Sequence, residues 1–181
     1  MRFNTKLLHG NKMGDANTGA TLTPVYQSSA FYQPSAEQHE KLFHNKATGF
    51  SYTRINNPTI FAFEECMTTL EGGIASVACA SGMAAITNAL LNIVTCGQEI
   101  VASTSLYGGS IDVFHDFEAF GIKTVFVDIS DVNAVEAAIN ENTRVIFAET
   151  IGNPKLDVVD IGALAELAHR HELPLVMDNT V

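Results

Sequence analysis

Basic residues are scarce in this sequence of 181 residues, which has 10 lysines and arginines against 20 aspartates and glutamates. The formal net charge of −10 leaves no positive excess to neutralise the phosphates of nucleic acid or the surface of an anionic membrane. Neither is expected as a partner. With 46% hydrophobic residues the chain can bury a core, so we expect a globular protein that binds or converts small molecules.

Paired cysteines and long apolar runs are also lacking. Cys66, Cys79 and Cys96 are odd in number and show no CxxC or CxxH spacing, so neither a disulfide framework nor a metal site is expected. No stretch approaches the roughly 20 apolar residues of a membrane span, and the N-terminus has no apolar run typical of a signal peptide. These features predict a cytoplasmic protein.

Residues 1–57 sustain neither a helical nor a strand periodicity and are rich in Gly, Asn, Thr, Ser, Gln and Pro. Because an irregular segment of that length is uncommon inside a compact domain, it is expected to pack against either its own domain or a second subunit. We interpret residues 1–57 as an N-terminal arm that contacts a second subunit.

From residue 58 onward the pattern is regular. Asn57 and Pro58 are typical of a helix start, and Gly72 of a helix end. Short apolar stretches then alternate with helical ones, as in a parallel sheet covered by helices on both faces. The sequence therefore predicts an α/β fold of three α/β/α layers with a mainly parallel sheet. The predicted strands are 74–79, 100–103, 124–127, 145–148 and 173–177, and the predicted helices that alternate with them are 83–94, 109–120, 132–139 and 161–171.

Open parallel sheets bind ligands at the carboxyl ends of their strands, where this sequence places small and polar residues. The stretch around Ser81, Gly82 and Met83 opens a helix, whose free N–H groups suit a phosphate. Tyr107 follows the next strand and can lie against a flat ring. Each feature alone is equally typical of packing, as a tight turn of small residues or a half-buried tyrosine.

Asn153 and Asp178 follow the fourth and fifth predicted strands. Asn153 can donate a hydrogen bond to a ligand oxygen, although an Asn-Pro turn is its commoner role. A carboxylate such as Asp178 at the end of an apolar strand is costly to bury unless it meets a cation or a donor; the alternative is a helix cap. Together these groups are the contacts that pyridoxal phosphate (PLP) needs, with the carboxylate keeping the ring nitrogen protonated.

These motifs resemble the Cys/Met-metabolism family of PLP-dependent enzymes, which have the type I fold, over nearly the whole chain. The resemblance rests on the stretches 52–59, 80–85, 106–109, 149–154 and 178–180. It implies that PLP is the cofactor and that residues 58–181 are the first part of the PLP-binding large domain. The cofactor contacts that it implies in this domain are Ser81, Gly82, Met83, Tyr107, Asn153, Asp178 and Thr180.

The resemblance also implies a role for the arm. In the family, the residues that match Tyr52 and Arg54 reach across a dimer interface to the phosphate in the neighbouring subunit. Tyr107 and Tyr52 would assist catalysis. The implied assembly is a homodimer or homotetramer with exchanged arms, against the alternative that residues 52–54 form a solvated surface turn.

Within the family, the stretch 149–158 resembles the O-acetylhomoserine sulfhydrylase branch of methionine biosynthesis. Lyases and cystathionine synthases more often carry proline where Ile151 stands, and methionine γ-lyases carry cysteine where Gly109 stands. The implied reaction joins sulfide or a thiol to the amino-acid part of O-acetylhomoserine, giving homocysteine or methionine and acetate. The alternatives are a C–S lyase of the same family and a non-catalytic, doubly wound binding module.

One family residue has no counterpart here. The lysine that forms a Schiff base with PLP follows the aspartate matching Asp178 by roughly 20 to 30 residues, and no lysine of this sequence follows its last predicted strand. We therefore expect the 181 residues by themselves, as an N-terminal part of such an enzyme, to be inactive.

Overall fold

The computed structural model describes residues 2–10, 14–15 and 17–181. The chain divides into two compact units, Met1–Ala78 and Cys79–Val181. Each unit is described on its own below.

The described residues of the first unit form three helices, and the longest begins and ends where the sequence predicts. The Asn57 side chain accepts the N–H of Thr59, Pro58 takes the first helical position, and Gly72 ends the helix with a φ of 66°. Two shorter helices of seven and eight residues lie within the predicted arm, too short to sustain a periodicity in the sequence. The helices are α1 (Phe3–His9), α2 (Ala36–Phe43) and α3 (Pro58–Glu71).

The strand predicted for residues 74–79 is wrong. These residues form no strand and pair with none in the described part of the chain. Ile74 and Val77 are exposed, and the N–H of Ala78 donates to the Glu64 carboxylate of α3 at 2.8 Å. An apolar run alone predicts extended backbone, whereas a strand also needs a neighbour for its ladder of hydrogen bonds.

The second unit alternates helices and parallel strands. The other four predicted strands are confirmed to within two residues at each end, and the four helices that alternate with them are present, although the one predicted for 83–94 ends at Leu91. All strand pairs are parallel, in the order β2-β1-β3-β4. The elements are α4 (Gly82–Leu91), β1 (Glu99–Ser103), α5 (Gly108–Glu118), β2 (Lys123–Val127), α6 (Val132–Ala138), β3 (Thr143–Glu149), α7 (Ile161–Arg170) and β4 (Leu175–Asp178).

Successive residues of the central strands face opposite sides of the sheet, which confirms the three-layer architecture. On β1, Ile100 and Ala102 lie in a core cluster with residues of α4 and α5, whereas Val101 lies in a second cluster with residues of α6 and α7. Phe147 of β3 is fully buried and meets Phe114 of α5 edge to face, with ring centroids 5.1 Å apart. Helices thus cover both faces and leave the strand ends free.

The carboxyl ends of three neighbouring strands therefore lie side by side. The register pairs Ala102 with Phe147, near the ends of β1 and β3, and Glu149 with Asp178, the last residues of β3 and β4. Side chains that follow these strands converge at one edge of the sheet. Across the described ranges, no helix combines the length and the apolar character that crossing a bilayer requires.

Candidate functional site

A cavity of about 400 Å³ opens at this edge of the sheet, within the second unit. Seven of the nine residues predicted to bind the cofactor line it, and they come from the start of α4 and from the ends of β1, β3 and β4. Its walls are mainly apolar. The lining residues are Ser81, Gly82, Met83, Ile86, Tyr107, Glu149, Ile151, Asn153, Asp178, Thr180 and Val181.

The start of α4 forms one end of the cavity. Ser81 caps the helix, its hydroxyl accepting the N–H of Ala84 at 3.1 Å, and the Ser81 carbonyl accepts the N–H of Ala85. The N–H groups of Gly82 and Met83 precede these bonds, at the positive end of the helix dipole. Space beside Gly82 is open, because a Cβ there would meet nothing within 4 Å. This end of the cavity fits a phosphate group.

Tyr107 stands at the N-cap of α5, and its side chain makes no capping hydrogen bond. Its side chain is about half exposed, and its ring lies over Gly109 two residues further on. The backbone N–H of Tyr107 donates instead to a carboxylate oxygen of Glu149 at 2.7 Å. The ring is therefore free to lie against a flat ligand while its backbone is held in place.

Asp178 ends β4 on another wall of the cavity. Its Oδ1 accepts both the N–H of Thr180, at 3.0 Å, and the Thr180 hydroxyl, at 2.5 Å. These two bonds fix the orientation of the carboxylate. The neighbouring Asn179 accepts the Thr150 hydroxyl at 2.8 Å, which ties the end of β4 to the end of β3. A fixed carboxylate here fits the protonated nitrogen of a pyridine ring.

Glu149 is an acidic residue of the cavity for which the sequence predicted no role. It is 6% exposed, and its carboxylate accepts the backbone N–H of Tyr107 at 2.7 Å. Burial raises the pKa of Glu149 above its ordinary 4.5, the charges of Asp178 and Asp157 add to the increase, and the backbone N–H groups of Tyr107 and Asn153 oppose it. Its position in the sequence could have identified it, because Glu149 is an acid at the end of an apolar strand, as Asp178 is.

Tyr52 and Arg54 belong to the first unit, whereas all residues that line the cavity belong to the second. The Arg54 guanidinium carbon lies 5.3 Å from the centre of the Tyr52 ring, a cation–π contact. Tyr52 also pairs with Ala30 in an isolated antiparallel bridge. Their predicted reach to a phosphate in another subunit remains a prediction.

The cavity thus supplies a helix start for a phosphate, an aromatic ring and a fixed carboxylate, and these groups fit PLP. In the described part of the chain, no three histidine, cysteine or acidic side chains are grouped to hold a metal ion. A parallel α/β sheet with this set of side chains at its carboxyl edge is typical of PLP-dependent enzymes. The chain belongs to the Cys/Met metabolism PLP-dependent enzyme family, whose model matches residues 4–181.

Two curated relatives show the range of activities in the family. An O-acetyl-L-homoserine sulfhydrylase of Leptospira meyeri is 45% identical over 178 residues, which are 98% of this chain and 40% of the relative. An L-methionine gamma-lyase of Pseudomonas putida is 38% identical over 98% of this chain and 45% of the relative. The chain therefore spans less than half the length of these relatives.

A solved structure from Campylobacter jejuni gives the same fold. That protein is described as an O-acetylhomoserine (thiol)-lyase and contains N'-pyridoxyl-lysine-5'-monophosphate. It superposes with a TM-score of 0.94 at 32% identity and covers 100% of this chain and 45% of its own. The sequence-based prediction of the type I fold is confirmed, and PLP is confirmed as the cofactor of the family.

Proposed function

We propose that the protein is a PLP-dependent sulfhydrylase that joins sulfide or a thiol to the four-carbon amino-acid part of O-acetylhomoserine, with loss of acetate. The observation that carries this proposal is the cavity, where side chains suited to each part of PLP converge from four elements. The 45% identity to the Leptospira meyeri sulfhydrylase supports the choice of substrate. PLP, when bound, withdraws electrons from the carbons next to the substrate nitrogen.

Each cavity residue has a role in this proposal. The N–H groups of Gly82 and Met83 and the Ser81 hydroxyl bind the phosphate. Asp178, held by Thr180, keeps a proton on the ring nitrogen. These five residues bind and orient the cofactor at its two ends.

Two further residues contact the ring between those ends. Tyr107 lies against its face and moves a proton at its hydroxyl, and Asn153 donates to a ring oxygen. Ile86 and Ile151 shield the site from water.

The arm completes the site in our proposal. Tyr52 and Arg54 of one subunit bind the phosphate in another, because a guanidinium has the forked donors that a phosphate accepts. Residues 1–57 then act as an inter-subunit arm and residues 58–181 as the first part of the PLP-binding domain. A homodimer or homotetramer follows from this arrangement, and the free cysteines Cys66, Cys79 and Cys96 fit a protein of the cytoplasm.

A C–S lyase is the second candidate, supported by the 38% identity to the Pseudomonas putida methionine gamma-lyase. A product assay on the full-length, PLP-loaded protein distinguishes the two. A sulfhydrylase releases acetate and homocysteine in equal amounts from O-acetylhomoserine only when sulfide is supplied, and leaves methionine intact. A lyase converts methionine to a thiol, ammonia and a 2-oxo acid without sulfide. If the full-length protein retains no PLP after dialysis, it is a binding module of another kind.

A further inference from the structure

Glu149 joins the two loops that carry Tyr107 and Asn153. It ends β3, and its buried carboxylate accepts the N–H of Tyr107, 42 residues earlier, at 2.7 Å. The backbone N–H of Asn153, in the loop that follows, favours the charged form of the same carboxylate and lowers its pKa. In the strand register it lies directly beside Asp178. One side chain thus interacts with the backbone of both residues that our proposal places around the cofactor ring.

We propose that Glu149 is a positioning residue that sets the Tyr107 ring and the Asn153 amide against the cofactor, an inference that rests on the function proposed above. Glu149 acts on Tyr107 through the hydrogen bond from its backbone N–H and on Asn153 through the attraction between the carboxylate and the Asn153 N–H. Asp178 needs no such help, because Thr180 holds it.

The start of α5 shows why Tyr107 needs an anchor. Tyr107 is the N-cap of this helix and has no side-chain cap, and the next two residues are Gly108 and Gly109. Glycines leave the backbone more freedom than other residues. Ser110 and Ile111 donate to the Tyr107 carbonyl, but the Tyr107 N–H has its partner in Glu149 rather than within the helix. The Glu149 carboxylate takes the N-cap N–H, the role that a glutamate within the helix plays in a capping box, and its negative charge suits the positive end of the helix dipole.

The cost of placing an acid here also indicates a purpose. A buried carboxylate is unfavourable, and the neighbouring Asp178 and Asp157 add like charge. Core packing alone would be served better by an apolar side chain of similar size, as at Phe147 or Ala148 on the same strand. The carboxylate is instead placed where two loops of the site need an acceptor.

The test is a mutant cycle on the full-length protein, read by its affinity for PLP and by the circular dichroism of the bound cofactor. Titrating the cofactor-free protein with PLP gives the dissociation constant. We expect Glu149→Ala to weaken PLP binding by about tenfold or more and to change the cofactor's dichroic band, because the Tyr107 ring loses its orientation. Glu149→Gln keeps an acceptor oxygen and should lose less. Glu166→Gln, an exposed acid on α7, is the matched control and should bind as the wild type does.

The second half of the cycle adds Glu149→Ala to a double variant, Tyr107→Ala and Asn153→Ala, and repeats the PLP titration. If Glu149 acts through these residues, adding Glu149→Ala to that double variant weakens binding by no more than about threefold. A full tenfold loss in the double variant would overturn the proposal, as would an unchanged affinity and dichroic band in Glu149→Ala. Should Glu149→Ala fail to fold, Glu149→Gln in the wild type and in the double variant decides the same question. If the wild-type protein binds no PLP, the proposed function itself is overturned. That result differs from a tenfold loss in the double variant, which overturns only the role of Glu149.

Discussion

The ring of Tyr107 lies so close over Gly109 that a Cβ at residue 109 would meet the ring atom Cε1 at 2.5 Å. The tyrosine therefore keeps its pose only because residue 109 has no side chain. Residue 109, where the resemblance described above places a cysteine in methionine γ-lyases, thus bears directly on the geometry of the cavity.

Gly109→Ala is expected to displace the ring of Tyr107 and to weaken PLP binding by roughly five- to tenfold, the value of a good aromatic contact. Titration of the cofactor-free, full-length protein measures the change. Gly108→Ala is the matched control, because a Cβ at that neighbouring position meets nothing within 4 Å. Equal effects of the two substitutions would show that the ring pose does not depend on Gly109.

Asp178→Asn should keep the fold and most of the PLP affinity but lower turnover by roughly a hundredfold or more, because a neutral amide does not hold the proton on the ring nitrogen. The Asn oxygen can still accept the two bonds from Thr180. Steady-state kinetics and a PLP titration of the same variant separate the two effects. Turnover close to that of the wild type would remove Asp178 from its proposed role.

Glu149 should make the protein less stable as the pH rises. Its folded-state pKa is raised above the ordinary 4.5, so the folded protein binds more protons than the unfolded chain between 4.5 and the raised value. The free energy of unfolding therefore falls as pH increases through that window, and the loss is complete above the folded pKa. Glu149→Gln has no such titration.

Urea unfolding of the cofactor-free protein and of Glu149→Gln at several pH values between 4 and 8 measures this contribution. The difference in hydrogen bonding shifts the free energy of unfolding of the variant by an amount that does not depend on pH. The titration of Glu149 in the wild type makes the difference between the two proteins change with pH. We expect the variant to gain stability relative to the wild type as pH rises. A difference that stays constant, or that moves the other way, contradicts the raised pKa.

Arg54 is expected to serve a neighbouring subunit. Arg54→Ala and Asp178→Asn should each be nearly inactive in the full-length protein, yet mixing them should restore activity. In the mixed dimer one site has its own Asp178 and receives an intact arm, while the other site has both defects, so recovery should approach about half of the wild-type rate for that species. Native mass spectrometry confirms subunit exchange. Exchange without recovery would place Arg54 in its own subunit's site or outside any site.

The architecture of the second unit was predictable because its helix caps and apolar stretches in the sequence match the helix starts and buried strands of the structure. Buried strands such as β1 and β3 are short, apolar and separated by helices with clear caps, for example Asp131 before α6. The strand predicted at 74–79 has the same composition, but its pairing depends on a neighbour that no local pattern encodes. The short helices α1 and α2 bury no residue completely and so leave little periodicity in the sequence.

Several cavity residues could be predicted from their positions after the strands, because the carboxyl ends of neighbouring parallel strands lie at the same edge of the sheet. Asp178 and Tyr107 were predictable on this ground together with their chemistry. The role of Glu149 was not predictable. It depends on which backbone N–H groups lie near the carboxylate, and the spacing of residues in the sequence does not specify those distances. The place of Tyr52 and Arg54 likewise depends on how subunits assemble, which local sequence does not encode.

The segment around Ile74 and Val77 has a consequence for handling the protein. Its apolar side chains face solvent and its backbone pairs with no strand in the described part of the chain, so a second molecule can add to it by intermolecular β-pairing. Residues 1–181 produced by themselves should therefore self-associate as their concentration rises. A charged residue at position 77 would interrupt this pairing and keep that material dispersed.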